Sequence, residues 1–137
     1  MLTTIRVCLL LLLAMTTLSC GLLKSGISIY GSWRWVKTQG AWTGDLHTPE
    51  LSGYTEKVVF QESGVAQFYR NDTLMNQLQF TLSKTHLISR RKEALVIHWS
   101  DKNLPDNQYI LMDRNDTLHL IQRTTEMSHF YYVRARD

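Results

Sequence analysis

The chain has 137 residues, 44% of them hydrophobic and 20% charged, with a formal net charge of +3 at neutral pH. That length supports one domain around a single core. The charge is too small, and the basic residues too scattered, to support nucleic-acid binding; the one basic cluster, Arg90-Arg91-Lys92, runs straight into Glu93 and is expected at a solvated hairpin turn.

The first twenty residues have the layout of an export signal. Met1 to Arg6 carries a single positive charge, Val7 to Met15 is an unbroken apolar run, and Thr16-Thr17-Leu18-Ser19 leads into Cys20. As a helix the apolar run covers roughly 14 Å at ~1.5 Å per residue, about half a bilayer core, so it does not read as a membrane span. A cysteine at this point resembles the acylation site of bacterial lipoproteins. The resemblance implies that residues 1–19 are removed and that Cys20 carries the lipid, a palmitate-type acyl anchor holding the chain on a membrane. With Gly21 rather than Asp after the cysteine, it further implies the outer membrane of the cell envelope. Cleavage without lipid is the alternative, since Ser19 and Gly21 are both small.

Removal of residues 1–19 leaves 118 residues, from which only Arg6 of the charged residues has gone. Cys8 leaves with the signal and Cys20 is the anchor, so the folded part has no disulfide and depends on packing. Residues 20–30 read as a tether, made greasy by Leu22, Leu23, Ile27 and Ile29.

From Gly31 onward the dominant period is two. In Ser32 to Thr38, Trp33, Trp35 and Lys37 alternate with Ser32, Arg34 and Val36. Further strands are expected over 54–61 and 65–70, separated by a tight turn at Glu62-Ser63-Gly64, and over 74–82 after a turn at Asn71-Asp72. In that last strand Leu74, Leu78, Phe80 and Leu82 share one face. A turn near Ser83-Lys84 and a short strand over 86–89 follow, then strands over 94–100, 108–113, 117–122 and 129–135. About nine strands joined mostly by tight turns predict an all-β domain, an antiparallel meander over 31–137. Closing that sheet into a barrel removes two exposed edges; a sandwich is the less economical alternative. The one long loop, Gln39 to Gly53, reads as a lid, binding loop or plug.

RNDTL occurs twice, at 70–74 and 114–118. Asn and Asp tolerate the positive φ of tight hairpin tips, so both copies are expected at tips. Asp72-Thr73-Leu74 and Asp116-Thr117-Leu118 also resemble Asp-Thr-aliphatic sites that some bacteria O-glycosylate, which would place sugars on Thr73 and Thr117.

No catalytic constellation is visible, and a non-enzymatic protein is expected. The histidines (His47, His86, His98, His119 and His129) have no short metal-ligand spacing, no phosphate loop or nucleophile motif occurs, and no cofactor is implied. His98 and His119 would converge only inside a barrel; Asp45, His47 and Glu50 share the long loop and read as its polar surface. The aromatic supply is the better lead: four Trp, six Tyr and four Phe, all after residue 29. These either fill the barrel or wall a partial pocket near its mouth, beneath the long loop, with Trp42, Tyr54, Trp99 and Tyr109 as expected lining residues. Tyr131, on the face opposite Tyr132, is a candidate for an outer contact surface.

Gly31-Ser32-Trp33 at the head of the first strand resembles the lipocalin signature. The ordered series GSWRWVKTQGAWTG, TPELSGYTEKVVF, RNDTL, DTLHL and YYVRAR is similar to that of small lipocalin-like lipoproteins of Bacteroides-type bacteria, over nearly the whole of 31–137. The resemblance implies a barrel floored by Trp33, with Arg134 of the last strand stacked across it, and a small hydrophobic ligand as partner. An envelope interaction or structural module with a filled barrel is the competing expectation.

Overall fold

A computed structural model describes residues 28–87, 92–104, 108–114, 116–122 and 127–136. The proposed signal and Cys20, the Arg90-Arg91 pair and Pro105 lie outside the described residues. The strands are β1 (Gly31–Gly40), β2 (Leu46–His47), β3 (Glu56–Phe60), β4 (Val65–Arg70), β5 (Thr73–Leu87), β6 (Lys92–Trp99), β7 (Gln108–Asp113), β8 (Thr117–Gln122) and β9 (Ser128–Arg134), with one helical turn, α1 (Pro49–Ser52). Every neighbouring pair is antiparallel, in the order β2-β1-β3-β4-β5-β6-β7-β8-β9, and β1 also pairs with β9 from Trp33↔Arg134 to Gly40↔Ser128. Eight strands therefore close into a barrel, and the two-residue β2 is an appendage on the upper half of β1.

Turn chemistry explains the meander. Asn71 and Asp72 both have positive φ, 48° and 61°, as a two-residue primed turn between Arg70 and Thr73 requires. The second RNDTL copy folds differently: Asp113 pairs with Thr117, so three residues make that turn. The copies also lie at opposite ends of the barrel, the first at the mouth and the second at the floor. One sequence expectation fails. No turn interrupts the chain at Ser83-Lys84, because β5 runs unbroken for 15 residues, pairing with β4 through Gln79 and with β6 from Phe80 on. A single long strand thus bends from one neighbour to the next.

Two register irregularities reset the alternation. In β1, Trp35 faces Tyr132 while Lys37 faces Tyr131, leaving Val36 as an extra residue. Trp33 and Trp35 point inward, but Lys37, expected on their face, lies outside with its ammonium 4.6 Å above the Tyr131 ring. In β5, Met75 is the extra residue opposite Phe68 and Tyr69. Leu74, expected to share a face with Leu78, is turned out and exposed, and Asn76 takes the inward position.

The core fills the floor. Trp33, Val58, Phe60, Ala66, Phe80, Ile97, Ile110 and Leu118 form one buried cluster, with Ile29 beneath them. Residues 28–30, the end of the expected tether, thus belong to the domain. Trp33 is fully buried and donates its indole N–H to the Ile29 carbonyl at 2.6 Å. The Arg134 guanidinium lies 4.2 Å over the Trp33 ring and donates to the carbonyls of Tyr30 (3.0 Å) and Ser28 (2.9 Å). Gly31 has φ +119°, and a Cβ there would come within 2.9 Å of Arg134 Nη1, so glycine is what lets the guanidinium lie flat. Truncation of Trp33 to Ala is expected to cost about 3–5 kcal/mol, as for other buried aromatics. Urea unfolding checks this, and a loss within about 0.5 kcal/mol, typical of surface positions, would refute the floor assignment.

Candidate functional site

Above the floor the barrel is hollow. A cavity of about 400 Å³ occupies its upper half and opens at the end where the β4–β5 hairpin and residues 100–104 lie. Its apolar wall is Val58, Phe68, Leu78, Trp99, Leu120 and Phe130, with Met75 and Leu104 at the opening. Each strand contributes through its inward parity: β3 places Val58 and Glu56 one step apart on the face of Phe60, and β4 places Phe68 and Arg70 on the face of Ala66.

Aromatic packing gives the wall its shape. Trp99 lies against Phe60, Phe68 and Phe80, with ring centroids 6.5, 5.6 and 6.2 Å apart. Its indole N–H donates to Oε1 of Gln108 at 3.0 Å, which satisfies the one buried polar side chain of the described core.

The polar lining is sparse and concentrated at the rim. Glu56 and Arg70 are direct cross-strand partners, joined by two bonds from the guanidinium, Nε at 3.2 Å and Nη2 at 2.7 Å, both ending on Oε1. The Arg70 guanidinium also lies 4.2 Å over the Tyr54 ring, and Tyr54 in turn stacks on buried Trp35 at 5.8 Å. Tyr132 stands deeper, packed against the core; burial pushes its phenol well above the ordinary tyrosine range, and the Glu56 carboxylate pushes the same way. Asn76 and Gln108 are further polar residues of the lining.

Of the four aromatics expected to line a pocket, Trp99 does. Tyr54 braces the rim through Arg70 without lining the hollow. Tyr109 alternates with buried Gln108 and Ile110 and therefore faces the outside of β7. Trp42 is 76% exposed on the long loop, whose residues line none of the cavity. That loop is not a plain coil: Thr48 caps α1 through the Leu51 amide, and Gly53 closes it with φ 74°. The Glu50 carboxyl is held below its usual range by the backbone N–H and the Thr48 hydroxyl at that cap, and Asp45, His47 and Glu50 are all exposed. Glu56, Arg70, Asn76, Gln108 and Tyr132 escaped the sequence reading. Counting in twos from Val58 and Phe68 would have found the first two; the bulge at Met75 hides the third.

The outer wall carries a separate cluster. His119 Nε2 lies 2.9 Å from His129 Nδ1, the His119 ring stacks on Tyr131 at 4.2 Å, and Lys37 caps the stack. His98 instead meets the Ser83 hydroxyl at 2.9 Å on the opposite face from Ile97, so His98 and His119 do not converge. A second hollow of about 390 Å³, more open to solvent, lies between Gly64, Gln79, Thr81 and His98. Among the described residues no three His, Cys, Asp or Glu side chains come together as a metal site. Of the two Asp-Thr-Leu positions, Thr73 is exposed at the mouth and Thr117 is half-buried at the floor.

Compared with known proteins, the chain matches no family model and no curated protein. The closed meander barrel is compatible with a lipocalin-like fold.

A raised phenol pKa makes an alkaline signature. Below about pH 10 both folded and unfolded Tyr132 hold the proton; above it the unfolded chain releases the proton and the folded one does not, so stability falls as pH rises. Tyr132→Phe is expected to lose stability less steeply than wild type above about pH 10. Urea midpoints between pH 8 and 11 check this, and parallel curves would show that the folded barrel does not hold the Tyr132 proton.

Proposed function

We propose that the chain is an exported, lipid-anchored lipoprotein of the lipocalin-like kind whose barrel binds a small hydrophobic ligand in its upper half. The carrying observation is the division of the interior: Trp33, Phe60 and Phe80 fill the floor, while about 400 Å³ stays open beneath the rim. That volume lies at the small end of the range for ligand pockets, and an apolar wall with a few placed polar groups matches their usual make-up. The signal layout and Cys20 support the anchor, with the outer membrane as its place; Thr73, exposed, is a better sugar acceptor than Thr117.

A second reading, an interaction module of the envelope, rests on the long loop. Trp42 and Leu51 are 76% and 71% exposed, and Leu46 is exposed beside them. Apolar groups gathered on one loop are characteristic of surfaces that meet a partner.

The uncharged fluorophore N-phenyl-1-naphthylamine separates the two. Saturable binding with energy transfer from Trp99 is expected, and Leu78→Trp, which fills the hollow, is expected to weaken it at least about tenfold. Absence of saturable binding by the wild-type chain would reject the ligand reading and leave the loop as the functional surface.

A further inference from the structure

Resting on the ligand reading, we propose that the cavity selects a zwitterionic amphiphile, one whose head carries a cationic nitrogen and an anionic oxygen close together on an apolar body. The charged residues that border the hollow are Glu56, Lys57 and Arg70. Lys57 is turned to Asp72 at 3.6 Å, outside the mouth. The rim therefore presents one carboxylate and one guanidinium in contact, with no net charge.

A purely anionic head attracted to Arg70 meets the Glu56 carboxylate at nearly the same distance, and by Coulomb's law the two effects almost cancel. A purely cationic head meets the mirror image. A dipolar head satisfies both, its oxygen on Arg70 and its nitrogen on Glu56, and repulsion from the wrong end enforces the selection.

The pair is built to accept a second partner. Both guanidinium bonds end on Oε1, so Glu56 Oε2 and Arg70 Nη1 make no hydrogen bond among the described residues. The side chains are 33% and 47% exposed, and an ion pair so placed contributes little to stability and opens at small cost. Arg70 is nevertheless held in orientation by the Tyr54 ring beneath it and by Trp35 beneath Tyr54, which reduces the ordering cost on binding. From this rim the apolar body enters between Phe68, Leu78 and Trp99.

The test uses the full chain and three probes with one dodecyl tail or its equivalent, each below its micelle concentration: N,N-dimethyl-N-dodecylglycine, dodecanoate and dodecyltrimethylammonium. Tryptophan fluorescence is expected to show the glycine betaine binding about tenfold tighter than either other probe. Glu56→Gln should erase its advantage over dodecanoate, Arg70→Gln its advantage over the trimethylammonium probe, and the exchanged pair E56R/R70E should keep the wild-type ranking. Circular dichroism verifies that each variant is folded. Equal binding of all three probes, tightest binding of either ionic probe, or a ranking unchanged in both Gln variants overturns the head-group selection while the cavity reading stands. If no probe saturates, the cavity reading itself fails and this inference falls with it.

Discussion

The arrangement depends on the closure of β9 onto β1, and that closure is locked at its lower end by Arg134 over Trp33. The guanidinium makes three kinds of contact at once: it stacks on the indole, accepts a place against Gly31 that no Cβ would allow, and bonds two carbonyls of the incoming chain. Such a stack is worth roughly 0.5–1 kcal/mol at exposed sites, rising to about 2 when desolvated, but its geometric effect is larger. It ties the first strand, the last strand and residues 28–30 into one floor. The indole N–H on the Ile29 carbonyl leaves that floor without an orphaned donor.

A filled floor goes with an open upper half. Side-chain size decides where an eight-strand barrel is full, since its bore is just wide enough for packed side chains or one small guest. Below, Trp33, Phe60 and Phe80 meet in the bore, with Phe60 and Phe80 edge to face at 5.3 Å. Above, aliphatic Val58, Leu78 and Leu120 stand where further rings would close the space, and Trp99 is drawn down to the floor by its three aromatic neighbours.

Much of this was legible in the residues. Period-two alternation and the Asn-Asp tip fixed the class, and the resemblance of Gly31-Ser32-Trp33 to the lipocalin signature implied the pairing of Trp33 with Arg134 at the ends that close. What the sequence concealed lies at two bulges. One extra residue inverts every later side chain in a strand. Val36 thereby sends Lys37 outside to Tyr131, and Met75 exchanges Leu74 for Asn76 at the inner face. Nothing in the residue types marks those positions. The expected turn at Ser83-Lys84 failed because the pairing of β5 with β6 runs unbroken through both residues and outweighed local preference: Ser83 lies on the outer side against His98, and Lys84, opposite Leu95, is exposed. The expected lining aromatics were chosen by type alone, whereas lining is a matter of parity, which is why Tyr109 fell outside and Glu56 inside.

The same parity gives the rim its chemistry. In β3 and β4 the inward residues descend as Glu56, Val58, Phe60 and Arg70, Phe68, Ala66, so polarity changes from charged to apolar within one step of each strand. Outward neighbours repeat the balance, since Lys57 reaches Asp72 while resting on the Tyr69 ring. Removing either member of the inner pair would leave a lone charge above an apolar wall; keeping both leaves a dipole there. A barrel mouth lined this way repels neither sign at long range, and it discriminates only at contact distance, where the separation of charges on a ligand begins to matter.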